Sequence, residues 1–211
     1  MNGYYQTRFA EDGRRDILWK TLCESYFQRL VKESDSVLDL GCGYGSFINH
    51  IRCGRKTAID QWPDVAGHLN PDVALHVGNI ASLQPISDRS IDFVFSSNVF
   101  EHLSRSDFAH CIAEVRRVLR PDGTINIVQP NYRFCYKEYF DDYTHVSIYS
   151  DRSLADALNS AGFRVVECIP RFLPLTIKSR FPVRPMLIRA YLASPFKPLG
   201  KQMFIRAEVA R

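Results

Sequence analysis

Residues 37–47 read VLDLGCGYGSF, an apolar run that enters a turn with glycines at positions 41, 43 and 45. A strand-to-helix turn this tight calls for positive φ or close backbone approach, which a side chain at Gly41 or Gly43 would obstruct. The amides of such a turn can face the polar groups of a ligand. Asp39 stands just before it. A carboxylate there is awkward beside a phosphate and suited to an ammonium, which argues against a dinucleotide. The dinucleotide fingerprint G-x-G-x-x-G also wants a glycine at position 46, where this chain has Ser46. Asp60 follows about 20 residues on, at the end of another apolar run, and suits both hydroxyls of a ribose. That points to a nucleoside without saying which. Cys42, inside the turn, reads as a small buried filler and not as a nucleophile.

A second group of reactive side chains gathers in residues 129–150, QPNYRFCYKEYFDDYTHVSIYS. Tyr132, Arg133, Tyr139, Asp141, Asp142, Tyr143 and His145 fall in a stretch too long and too aromatic for a mere connector, so it reads as an acceptor pocket. His145 is the first choice of general base, because an unperturbed imidazole titrates nearest neutral pH, and Asp141 or Asp142 is placed to orient it. A histidine that only ties the loop down is the alternative. Glu101 and His102 read either as a pair packing locally at a helix start or as part of the site. The six cysteines are scattered singly, with no C-x-x-C spacing, and no metal-ligand cluster is evident, so metal independence is expected.

The elements that must position these residues alternate between short apolar runs and helical patterns, the signature of an α/β domain with a largely parallel sheet. A helix is expected over 16–31, strands over 36–40, 57–60, 74–77, 91–96, 124–128, 164–169 and 202–209, and helices over 46–52, 107–119 and 153–161. Pro121-Asp122-Gly123 is a strong breaker between helix and strand. At 211 residues the chain suits one domain, with residues 1–34 as a helical cap. Residues 170–201 form an insertion or lid before the last strand, too proline-interrupted for one long helix. Between 171 and 206 there are eight Lys and Arg and no Asp or Glu, interleaved with apolar residues, a combination that suits an anionic lipid surface better than a nucleic-acid duplex. A lid with solvated charges is the competing reading. The polar start of the chain and the want of a long apolar run suggest a cytoplasmic protein, with peripheral contact at the inner membrane face through 171–206.

Five blocks in order resemble the class I methyltransferases that use S-adenosylmethionine (SAM): VLDLGCGYG at 37–45, AID at 58–60, GNIASL at 78–83, IDFVFSSNVFEHL at 91–103 and VRRVLRPDGTINI at 115–127. The resemblance covers roughly residues 35–169. It implies a Rossmann-like fold, a seven-stranded mostly parallel sheet flanked by helices, with SAM as cofactor and S-adenosylhomocysteine as product. It implies cofactor contacts at Asp39, Gly41, Cys42 and Gly43 for the methionine part, and at Asp60 with Gln61 for the ribose. Asn79 would accept from the adenine amino group and the Ile80 amide would meet a ring nitrogen, with Ile80 and Leu83 as apolar walls. Ser97 and Asn98 would lie beside the methionine end of the cofactor and the acceptor. The family often has an acid where Asn79 stands, and the role of its Glu-His-Leu pattern, here with His102, varies between members. The expected acceptor is a small molecule, a sugar or a lipid-linked group, methylated at oxygen. A methyltransferase acting on a flipped base would be expected to carry an Asn-Pro-Pro-aromatic run where this chain reads SSNVF, so nucleic acid is not expected. A nicotinamide-dependent oxidoreductase and a SAM-binding or membrane-attached scaffold without catalysis are the rivals.

Overall fold

A computed structural model describes residues 13–174 and 183–210. The apolar runs form the sheet because each is flanked by turn residues and buried against its neighbours. Strand β1 (Ser36–Leu40) is buried on four of its five residues and lies between β2 (Arg55–Asp60) and β4 (Ile91–Ser97). With β3 (Val73–Val77), β5 (Leu119–Pro130), β6 (Phe163–Pro174) and β7 (Gly200–Val209), the order is β3-β2-β1-β4-β5-β7-β6. Every neighbouring pair from β3 to β5 is parallel, and β7 runs antiparallel to both β5 and β6. The chain fills one side of β1 first and then crosses to β4, so the direction of strand addition reverses between β1 and β4. Open α/β sheets bind ligands in the crevice beyond the carboxyl ends of the strands at such a reversal.

Alternation along the strands divides the core into two layers. Leu38, Leu40 and Val94 face a cluster with helices α2 (Arg105–Val118) and α4 (Asp151–Ser160), whose buried members include Phe108, Ile112, Val115, Leu154 and Leu158; the one-turn helix α3 (Tyr132–Cys135) lies between them along the chain. Val37, Phe93 and Phe95 face an aromatic cluster with Trp19 of α1 (Gly13–Ser25), Tyr26, Phe27, Phe47, Phe172 and Phe204. Helix α1 stops at Ser25, short of the expected residue 31, because Tyr26 and Phe27 both turn inward. The Tyr26 hydroxyl donates to Glu167 at 3.0 Å, and a short 3-10 turn at Phe27–Arg29 follows.

Three further expectations need correction. Residues 46–52 form hydrogen-bonded turns with no regular helix. Phe47 is drawn onto Phe95, with ring centroids 3.8 Å apart, while Asn49 is pulled sideways to donate to the His68 carbonyl and to accept from the Asn70 amide. Strand β5 begins at Leu119, before Pro121-Asp122-Gly123, because its pairing jumps from Ile91↔Leu119 to Phe93↔Thr124 and leaves those residues in a bulge. Strand β6 runs through Pro170 to Pro174 with register shifts, and the insertion then carries a nine-residue helix, α5 (Pro185–Ala193). Helix α5 packs Ile188 and Leu192 against the aromatic cluster, and Arg189 reaches Glu24 of α1 at 3.3 Å. Of the basic residues in 171–206, Lys178 and Arg180 lie outside the described residues. No described helix is long and apolar enough to cross a membrane.

Candidate functional site

The glycine turn emerges from β1 at the carboxyl edge. Gly41 and Gly43 take φ of +67° and +51°, the left-handed region that a side chain disfavours. The amides of Gly41 and Cys42 donate to the Ile59 carbonyl at 2.8 and 3.3 Å, and Cys42 is buried, as a filler would be. A Cβ on Gly41 would lie 2.6 Å from Cγ2 of Val99, whereas one on Gly43 would meet no atom within 4 Å. One glycine is therefore required by packing and the other borders open space.

Two buried carboxylates flank this turn. Asp60 accepts from the Gly43 amide at 2.8 Å through one oxygen and from the Trp62 amide at 2.9 Å through the other, which fixes it at the end of β2. Asp39 is 3% exposed, and burial followed by the charge of Asp60 pushes its carboxyl up to about 8. Two acids held close in a low-dielectric setting favour a positively charged or hydrogen-bond-donating group between them. Gln61 is exposed. At the next strand end, the Asn79 side-chain oxygen accepts from the Ala81 amide at 2.9 Å, Ile80 is 7% exposed, and Leu83 is fully buried in the core. At the end of β4, Asn98 has a left-handed φ of +54°; its amide group donates to the Ser97 hydroxyl, and its carbonyl oxygen accepts from Gln202 at 2.8 Å.

The third part of the crevice joins segments that are distant in sequence. A 3-10 turn at Phe100–His102 follows β4, and the loop after β5 folds over it: the amides of Val146 and Ser147 donate to the Glu101 carbonyl at 2.9 and 3.0 Å, and the Ser147 hydroxyl donates to the Leu103 carbonyl. His102 and His145 thereby approach to 4.9 Å between ring centroids. Glu101 is fully buried, and neither of its carboxylate oxygens has a hydrogen-bond partner. Burial, with a further contribution from Asp142, pushes its carboxyl up to about 8. His102 is held below the usual imidazole value by burial and then by His145.

The orienting contacts differ from the sequence expectation. Nδ1 of His145 lies 2.6 Å from the Tyr139 carbonyl, so a backbone oxygen fixes this ring. Asp142 accepts from the amide and hydroxyl of Thr144 at 3.0 and 2.6 Å, and the Thr144 carbonyl and hydroxyl oxygens accept from Nδ1 of His102 at 3.2 and 2.9 Å. Asp142 thus supports His102 through Thr144, a residue that neither motif nor spacing singles out. The structure does bring Glu101, His102 and His145 together.

Asn131, fully buried at the end of β5, anchors the loop that carries His145. Its side chain donates to Asp151 at 2.8 Å and to the Pro170 carbonyl at 3.0 Å, and its amide donates to the Lys201 carbonyl. Asn131→Ala is expected to destabilise the protein by about 2–3 kcal/mol, the cost of orphaning buried partners. A urea midpoint unchanged from the parent would remove Asn131 as the anchor.

Known proteins resemble this chain in sequence and in fold. The methyltransferase domain family matches residues 38–127. A protein named as a probable S-adenosylmethionine-dependent methyltransferase from Mycolicibacterium smegmatis is 31% identical over 164 residues, 73% of this chain and 62% of its own length. These matches make the chain similar in sequence to SAM-dependent methyltransferases. A malonyl-[acyl-carrier protein] O-methyltransferase from Methylococcus capsulatus is 31% identical over 154 residues, 65% of this chain and 54% of its own. The chain thus spans less than two thirds of either curated relative. The crystal structure of a SAM-dependent methyltransferase from Archaeoglobus fulgidus superposes with a TM-score of 0.69 at 19% identity, covering 98% of both chains, a likeness of fold. The cofactor of the family is SAM. In this chain the family match includes the glycine turn, Asp60, Asn79, Glu101 and His102, and stops before the loop that carries His145.

Proposed function

We propose that this chain transfers the methyl group of SAM to the oxygen of a small-molecule, sugar or lipid-linked acceptor. One observation carries the reading: Gly43 borders open space at the sheet's reversal point, between two buried acids that call for a cationic, hydroxylated ligand. The residues present fit SAM. Asp39, buried in β1 near Asp60, is the counter-charge for the ammonium, and Asp60 at the end of β2 serves the ribose hydroxyls. The edge of the Asn79 turn suits the adenine. Bound SAM supplies an activated methyl group. The chain's own part is to hold the acceptor in line with it and to exclude water, an alignment worth up to about 7–11 kcal/mol.

The acceptor reading rests on the aromatic loop over the crevice and on the relative named for O-methylation. Around helix α5, Met186 is 75% and Phe196 82% exposed within the basic segment 171–206, which supports the lipid-linked end of that range. Taking up the proton of an acceptor hydroxyl falls to the cluster of Glu101, His102 and His145. With Nδ1 of His145 donating to a carbonyl, its basic atom is Nε2.

Calorimetric titration of the purified chain with SAM, S-adenosylhomocysteine and NADH tests the reading. Micromolar binding of the first two and none of the third is expected, and NADH binding alone would overturn it. Asp60→Ala is expected to weaken SAM roughly 10- to 150-fold, the about 1.5–3 kcal/mol of a charge-assisted hydrogen bond. Undiminished affinity in that variant would move the ribose elsewhere.

A further inference from the structure

The carboxylate of Glu101 poses a physical problem that the acid–base reading leaves open. It is fully buried and both oxygens lack a hydrogen-bond partner, while the backbone carbonyl of the same residue is tied down by the Val146 and Ser147 amides. Burying an acid without a compensating partner is costly, and such groups pair with charges or coordinate metals. Around it stand two imidazoles, and one ligand atom from each of Glu101, His102 and His145 lies within 4.8 Å of the others.

The tautomers of the two rings are also fixed. Nδ1 of His145 faces the Tyr139 carbonyl, and Nδ1 of His102 faces the Thr144 carbonyl together with a Thr144 hydroxyl whose own proton goes to Asp142. Each Nδ1 must therefore carry the hydrogen, which leaves the lone pair of each neutral ring on Nε2. Metal-ligating histidines usually donate their other ring N–H to a carbonyl or carboxylate, and the Asp142–Thr144–His102 chain is an outer shell of that kind. Metal–ligand bonds of about 2.0–2.2 Å place neighbouring ligand atoms roughly 3.3 Å apart, so side-chain shifts of about an ångström would close the set.

We infer that Glu101, His102 and His145 form a binding site for a divalent first-row transition-metal ion beside the methyl-transfer crevice. Two imidazoles and one carboxylate favour zinc, iron(II) or cobalt(II) over magnesium, which prefers oxygen ligands alone. Three protein ligands leave coordination positions open. The role of the ion rests on the methyl-transfer reading: it binds the acceptor hydroxyl and lowers its pKa. The proton leaves to solvent, the oxygen–methyl bond forms as the sulfonium–methyl bond breaks, and S-adenosylhomocysteine is released. His145 then acts as a ligand in place of a free base. The expectation of metal independence arose because the three residues are not clustered in sequence.

Cobalt(II) is the probe, added to the full chain in a Cys53→Ser, Cys168→Ser background so that the more accessible thiols do not compete. One equivalent per chain is expected, with ligand-field absorption and no thiolate charge-transfer band. Glu101→Gln and His145→Ala are each expected to weaken it by about 100-fold or more, with far-UV circular dichroism confirming that the variants fold. Substoichiometric binding, or binding unchanged in both variants, would overturn the site. Methyl transfer that persists in metal-free protein while cobalt fails to bind would overturn the metal and leave the proposed function standing. Cobalt binding without any SAM binding would do the opposite.

Discussion

Gly43→Ala is expected to lower SAM affinity by roughly 100-fold or more, the about 3 kcal/mol of an unrelieved overlap, while leaving the protein folded. A Cβ at this position meets no protein atom within 4 Å, so the cost to the fold is limited to the left-handed φ of +51°. That conformation costs a non-glycine residue about 1–2 kcal/mol. The added methyl would instead occupy the space assigned to the cofactor. Gly41→Ala is the contrasting variant. Its Cβ would lie 2.6 Å from Val99, on a backbone with φ of +67°, so strain and overlap add and the loss is expected mainly in stability. Thermal unfolding and SAM titration on the two variants separate the effects. Gly43→Ala binding SAM as the parent does would mean that the turn does not cradle it.

The same contrast shows which parts of the site can be read along the chain. The glycine turn, Asp39 and Asp60 lie on two adjacent parallel strands, and local sequence specifies them because a tight turn after a buried strand admits few residue types. Strand positions followed from apolar runs for the same reason. The proline and glycine signals at 121–123 and 170–174 misplaced strand ends because tertiary pairing overrode them: the first is absorbed by a bulge, and the second lies in β6, an edge strand, where a missing donor is tolerated. The Glu101–His102–His145 cluster could be suspected piecemeal but not assembled. Thr144 lies 42 residues from His102, and the contact depends on how the loop after β5 folds back over β4. The burial of Glu101 is a property of that closure, and no periodicity at 100–103 announces it.

Asp39→Asn is expected to act in opposite directions on stability and on binding. The folded-state carboxyl sits at about 8, far above its ordinary value of 3.8, because burial and then Asp60 disfavour the charged form; the Ile48 amide offsets this in part. A raised folded pKa means that the stabilisation is complete below about pH 4 and is lost as pH climbs through about 8. Within that window, Asp39 lowers the stability of the cofactor-free protein by up to about 1.4 kcal/mol for each pH unit. Asparagine keeps the size and the acceptor oxygen and does not titrate. Cys23 and Cys42, the other titratable groups facing Asp39, are held neutral by burial and by this charge, so they add no slope of their own below pH 8. Glu101 titrates over the same range in metal-free protein, so the variant flattens the pH dependence and does not abolish it. Denaturant unfolding at pH 5 and pH 8 should therefore show the parent losing stability at the higher pH and Asp39→Asn losing markedly less. SAM affinity at pH 8 should fall in the same variant, because the ammonium loses its counter-charge. A variant equally destabilised at both pH values, with SAM affinity intact, would make Asp39 a packing residue of β1 and remove the charge argument for the cofactor. Tension between a stable fold and a buried anion is what a cationic ligand resolves, and only the ionised acid both weakens the free protein and strengthens the complex.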